Sequence, residues 1–278
     1  MHNRHLLFLV TLAAVLCLPL GASAQDPTIY PDWSGHWRSG PPNRWDPMKP
    51  GGLAQQAPLT PEYQKIFEDS IADQAAGGPG NDPSTWCFPA GMPRMMTAIF
   101  SIEFIVLPGL THILSETHPE RRIYTDGRTW PADLETQSSF PGYSIGQWVK
   151  PDKDGHFQEL QIETRGFKGP RNYEPTGLPL HFDNQSVIKE RIFLDPVNPE
   201  LLKDEITTID HALTRPWTVT KTYQRQINRP WIQNECTENS QHVRVGTETY
   251  YISADGYLMP VKKNQSPPDI RYFPNAKN

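Results

Sequence analysis

Side chains that alternate with a period of two set the strongest limit on how this chain can fold. Phe100, Ile102, Phe104 and Val106 fall on one side of an extended segment, Leu160 and Ile162 on one side of another, and Ile188, Ile192 and Leu194 on one side of a third. Successive strand residues point to opposite faces, so each run turns an apolar face to a core and a polar face away from it. Pro108-Gly109, Asp126-Gly127, Asp154-Gly155 and Asp255-Gly256 separate such runs, which is the punctuation of an antiparallel meander. Roughly ten strands follow from this spacing. A meander of that length curls or closes to remove its edges, so the expected fold is mainly β, an antiparallel β-barrel. The 29 prolines among 278 residues, about twice the usual share, weigh against a helical fold.

One principal helix is expected over Thr60 to Ala76. Thr60 is the N-cap and Pro61 the first helical residue; Tyr63, Ile66, Phe67, Ile71 and Ala75 form one stripe, and Gly77-Gly78 stops it. Such a helix lies against the barrel or covers an end. A shorter helical turn is expected at Asn198-Pro199-Glu200 by the same logic. Ser34-Gly35-His36-Trp37 and Ile145-Gly146-Gln147-Trp148 each carry Gly-x-Trp near the opening of a strand. This resembles the first-strand signature of lipocalin-like barrels, in which the tryptophan plugs one end. The same pair also admits two lobes divided near residues 138–141.

The N-terminus sets the compartment. Arg4, with His2 and His5, precedes the apolar run Leu6 to Leu20, and Ala22-Ser23-Ala24 supplies small residues for a signal peptidase. About 15 apolar residues fall short of the roughly 20 that a spanning helix needs. The expectation is a signal peptide over 1–24, one β-barrel domain over 25–278 in the periplasm or secreted, and no membrane span after processing. Cys17 follows Leu16 rather than a small residue, which disfavours a lipid anchor. Cys87 and Cys236 remain, and an even count in an oxidising compartment favours one disulfide; two free buried thiols are the alternative. The formal charge of −5, made more negative by loss of Arg4, excludes nucleic acid as a partner.

Arg121-Arg122-Ile123-Tyr124-Thr125-Asp126-Gly127-Arg128, then Ser144-Ile145-Gly146-x-Trp148 and Glu190-Arg191, stand with Cys87-x-Pro89-x-Gly91-x-Pro93-Arg94 and Glu116. Together these resemble a group of exported, uncharacterised proteins of soil bacteria, over most of the chain after the signal. The resemblance implies export and brings no activity. At Val149-Lys150-Pro151 this chain departs from the short acidic turn of that group.

No phosphate-cradling glycine loop, His-Glu-x-x-His or Cys-x-x-Cys is present, which weighs against nucleotide enzymes, zincins and thioredoxin-like proteins. Glu190 alternates with Ile188 and Ile192 and so faces inward, where burial raises a carboxyl pKa toward general acid/base use; the competing reading is a buried ion pair with an arginine such as Arg122. Alternation is taken to send Arg122 and Tyr124 inward, where Arg122 can clamp an anionic substrate or answer Glu116 or Glu190. His181, with Asp183 two residues on, is a candidate acid/base pair at the barrel mouth. His112, Glu116 and His118 share a face, but steps of about 6.5–7 Å along one strand strain a metal shell built on them, so no metal is expected. Trp217 and Tyr223 can line an apolar cavity or pack the core, and Asp210 ends the preceding strand.

The leading expectation is a cofactor-free protein acting on a small, largely apolar or aromatic molecule. As an enzyme it would catalyse elimination, hydration or isomerisation, with Glu190 or His181 moving the proton, Arg122 holding an anionic group and Glu116 beside them. Trp217, Tyr223, Tyr124, His112 and Asp210 would contact the ligand. A non-catalytic small-molecule binding protein and an envelope assembly component are the alternatives.

Overall fold

The computed structural model describes residues 29–39, 57–97, 100–149, 151–181, 183–239 and 241–268; the expected signal segment and Cys17 lie outside them. Nine strands close a barrel in sequence order: β1 (His36–Ser39), β2 (Ile102–Leu107), β3 (Leu110–Ser115), β4 (Arg121–Tyr124), β5 (Tyr143–Val149), β6 (Glu159–Arg165), β7 (Val187–Leu194), β8 (Leu201–Ile209) and β9 (Trp217–Gln226). Every neighbouring pair is antiparallel except β4 and β5, which run parallel. A ring with an odd number of alternating strands cannot close without one such pair. The Asp126-Gly127 turn therefore opens a long connection, not the hairpin that the spacing predicted. Pro108-Gly109 does close a hairpin, with Gly109 at φ +77°. Strands on both sides of residues 138–141 share the one barrel.

A second sheet of three strands follows: β10 (His242–Val245), β11 (Glu248–Ile252) and β12 (Leu258–Pro260).

Register sorts the barrel ends. The starts of β4, β5, β7 and β9 and the ends of β3, β6 and β8 share one rim. The opposite rim is sealed by aromatic rings: Trp33 lies 4.9 Å from Trp148 and 5.1 Å from Phe104 between centroids, and Tyr30 lies 5.2 Å from Trp148. Trp37 is fully buried, and its indole N–H donates to the Trp33 carbonyl at 2.9 Å. Both tryptophans of the Gly-x-Trp segments thus belong to this end of the core. Between the rims, Ile113, Ile123, Leu160, Ile188, Ile192, Leu202 and Ile206 fill the barrel.

The open rim carries the helix. α1 (Pro61–Ala75) begins where Thr60 Oγ1 accepts the Tyr63 N–H at 3.4 Å. Phe67 and Ser70 are buried and Ile71 is half-buried; Ile66 and Ala75, expected on the same stripe as Phe67, face solvent. Phe67 and Ile71 pack with Tyr173, Leu178, Leu180, Leu213, Trp217 and Val219 in a second apolar cluster. Asn198-Pro199-Glu200 forms a single hydrogen-bonded turn instead of a helix, with the Leu201 N–H on the Asn198 carbonyl at 2.9 Å. α2 (Arg94–Thr97) is buried throughout, and α3 (Cys236–Asn239) precedes the second sheet. Among the described residues no helix is long and apolar enough to cross a membrane.

Cys87 and Cys236 are bonded, with Cα atoms 5.5 Å apart and a separation of 149 in the chain. A cross-link of that span restricts the unfolded chain by about 5 kcal/mol in the loop-entropy model. Reduction, or the double change Cys87→Ala with Cys236→Ala, is expected to lower the midpoint of denaturant unfolding. Intact mass of the oxidised protein should fall two hydrogens short of the reduced form; full thiol content in the untreated protein would refute the bridge.

Candidate functional site

Inside the barrel the Glu190 side chain is fully buried, as its alternation with Ile188 and Ile192 predicts, and it is paired with an arginine. That arginine is Arg121, not Arg122. Ile123 is the aliphatic residue of β4 and turns inward, so Arg121 shares its face while Arg122 and Tyr124 take the outer one. Arg121 donates to both Glu190 oxygens, at 2.9 Å through Nη1, and also to Thr164 Oγ1 at 2.9 Å and Ser144 Oγ at 3.2 Å. Arg122 is more than half exposed and pairs with Glu120 at 3.0 Å.

Asp204 lies next to this pair. Register sets it opposite Ile192 on β7 and Lys221 on β9, all pointing inward. Neither Asp204 oxygen accepts a hydrogen bond among the described residues. Burial, and then the adjacent Glu190 carboxylate, hold its pKa well above the ordinary carboxylate range, so a protonated Asp204 can donate to Glu190. Burial lowers the pKa of Lys221, and burial raises that of Glu174, whose Oε1 accepts from Thr176 at 2.7 Å. The interior is a packed core with a polar seam.

Most of the other predicted residues separate into places that do not meet. Trp217 packs on Tyr173 at 4.7 Å, and the Tyr223 hydroxyl donates to the Met96 carbonyl; both are core side chains. Tyr124 lies on the outer wall, stacked on Tyr143 at 5.0 Å with the Arg128 guanidinium 3.7 Å above its ring. His112 is outside as well, paired with Glu120. Glu116 is buried beneath the rim, accepting the Ser101 N–H at 3.0 Å, with Arg229 at 3.6 Å. The shared face expected for His112, Glu116 and His118 ends with β3 at Ser115.

His181 and Asp210 do come together at the open rim. Asp210 Oδ1 accepts the His181 N–H at 2.9 Å and the Ala212 N–H at 2.8 Å, and its other oxygen accepts from Ser186. The Tyr63 hydroxyl meets His181 Nδ1. Asp183 lies 3.8 Å from His181 Nε2 and 2.6 Å from His211 Nδ1, and ligand atoms of the three residues fall within 4.8 Å of one another.

Among the described residues, two of the open spaces are large enough for a small molecule. A groove of about 940 Å³ on the outer wall is edged by charges already paired, Arg191 with Glu159 and Glu205, and Lys189 with Glu163. A cleft of about 750 Å³ at the open rim is lined by Phe88, Pro89, Phe100, Leu114, Trp231 and His118, with the Cys87–Cys236 bridge in its wall. His118 Nε2 is buried there without a hydrogen-bond partner among the described residues. Burial, aided by Arg94, lowers its pKa to about 4, so the ring is neutral near pH 7. Alternation could not reveal this cleft, because its walls come from distant segments joined by the disulfide. No family model, curated protein or solved structure matches the chain.

Two stability tests follow from the lumen. Glu190→Gln is expected to lower stability by about 3–5 kcal/mol, since it leaves Arg121 buried and unpaired, whereas Arg122→Ala should change it by under about 0.5 kcal/mol. Equal effects in a denaturant titration would return Arg122 to the interior. Folded Asp204 keeps its proton at pH values where the unfolded chain has lost it, so its contribution to stability falls as pH rises above about 4. Asp204→Asn should flatten that fall and raise the melting temperature at pH 8; an unchanged pH profile of melting would contradict a protonated Asp204.

Proposed function

We propose that the protein is an exported barrel that binds a small, largely apolar or aromatic molecule in the cleft beside Cys87–Cys236. The cleft carries this reading. It is of ligand size, has aromatic and aliphatic walls, and among the described residues presents two unpartnered polar atoms, His118 Nε2 and Thr117 Oγ1, which is the composition of a small-molecule pocket. A neutral imidazole offers its free nitrogen to a phenol, an amide or another polar handle on a flat ligand.

Acid/base catalysis has less support. Arg122 and Glu190 occupy opposite faces of the wall, and both Glu190 oxygens are held by Arg121. A histidine with a pKa of about 4 is a weak proton carrier near neutrality, where general acid/base groups work best with values close to the ambient pH. Glu116, expected to be catalytic, and Asp210, expected to contact the ligand, act here as frame and hold rim loops, and Trp217 and Tyr223, also expected as ligand contacts, fill the core.

Titration with 1-anilinonaphthalene-8-sulfonate, followed by fluorescence, is expected to show one saturable site. Trp231→Ala and Phe100→Ala should each weaken it about tenfold or more, as for aromatic anchors that a bound ligand covers. Affinity for phenols that donate to His118 should hold from neutral pH down to about pH 5 and fall as pH approaches 4, because protonation removes the acceptor. Saturable binding indifferent to both substitutions would move the ligand elsewhere, and no binding across phenols and aromatic acids would end the proposal.

A further inference from the structure

We propose a divalent transition-metal site of the zinc class at the open rim, with His181 Nε2, one Asp183 oxygen and His211 Nδ1 as ligands. It is separate from the cleft and does not depend on the binding reading. Two imidazoles and a carboxylate form a donor set suited to a borderline metal, and three protein ligands leave at least one position for water.

The three side chains come from two loops. His181 and Asp183 lie between β6 and β7, and His211 follows β8. Asp183 is within 3.8 Å of one imidazole nitrogen and 2.6 Å of the other. Ligands about 2.0–2.2 Å from a tetrahedral zinc lie roughly 3.4 Å apart. The adjustment needed is a small rotation of partly exposed side chains; His211 is more than half exposed and free to make it.

The backbone beneath is fixed from both sides. The His181 N–H donates to buried Asp210, and the His181 carbonyl accepts from Arg171 at 3.1 Å. Arg171 lies 3.6 Å from Asp210, which offsets its charge below the site. Asp210 also accepts the Ala212 N–H, so one carboxylate ties the loop of His181 to the loop of His211. The Tyr63 oxygen can accept from His181 Nδ1–H, which leaves Nε2 with a lone pair toward Asp183; a partner of that kind orients a metal-binding imidazole. The cluster Asp152, Asp154 and His156 lacks such support: it is one hairpin turn in which Asp152 is occupied by the N–H groups of Asp154 and His156. It serves as an internal control.

Zinc titration of the untagged protein against a chromophoric chelator is expected to give one equivalent bound, and cobalt(II) should develop visible ligand-field bands. His211→Ala and Asp183→Asn should each weaken zinc binding at least about 100-fold, Tyr63→Phe about 10–100-fold, and Asp152→Asn not at all. In the wild-type chain, zinc should protect His181 and His211 from acylation by diethyl pyrocarbonate, read by peptide mass spectrometry, so the outcome does not hang on folding of the variants. Absence of a stoichiometric site, wild-type affinity in the combined His211→Ala and Asp183→Asn protein, or equal acylation of both histidines with and without zinc would each overturn the proposal.

Discussion

The Arg121 guanidinium crosses the seam on which closure of the barrel depends. A nine-strand ring must contain one parallel junction, and here it is short: only Ile123 with Ser144 and Tyr124 with Ile145 are paired between β4 and β5. Arg121 reaches from β4 over that junction to Ser144 on β5, Thr164 on β6 and Glu190 on β7. Charge-assisted bonds in a dry interior are strong when every donor is met, and they are directional, so they fix the order of four strands as well as holding them. A hydrophobic pair in the same place would hold the wall without specifying its register.

Charge in the lumen has a consequence for where a ligand can go. Glu190 is answered by Arg121, whereas Asp204 and Lys221 face each other across β8 and β9 with burial pushing each toward its neutral form. Around them the aliphatics are packed, and the far rim is stoppered by Trp33, Trp148 and their neighbours. The lumen is thus occupied by the protein itself. Open space of ligand size lies instead outside the lumen, on the outer wall and at the open rim, where loops between strands stand over the core, as function-bearing loops do on a rigid scaffold.

Much of the frame was legible because strand alternation is a local property. The inward side of Glu190 and the capped start at Thr60-Pro61 follow from neighbours in sequence, and the pairing of the two remaining cysteines from their count in an exported chain. The choice between Arg121 and Arg122 was legible too, from Ile123: in a four-residue strand the aliphatic decides the face, and Arg121 shares it. Asp204, between Leu202 and Ile206 on an alternating strand, carried the same signal. What sequence alone could not supply was convergence between loops. Nothing local brings His211 to Asp183, or Phe88 and Trp231 to one cleft, because those meetings are made by strand register and by the disulfide.

Two buried carboxylates make those meetings reproducible. Asp210 gathers the N–H groups of His181 and Ala212, and Glu116 takes the Ser101 N–H while its other oxygen lies 3.5 Å from the Ile232 nitrogen, beside Trp231 of the cleft. Each carboxylate satisfies a backbone donor of a fully buried residue, Ala212 for Asp210 and Ser101 for Glu116, and each joins two stretches distant in sequence. Their chemistry is spent on geometry. A rim built in this way can hold a donor set and an apolar cleft on loops without helical or sheet support of their own, because the hydrogen bonds that order the loops end on groups rooted in the barrel wall.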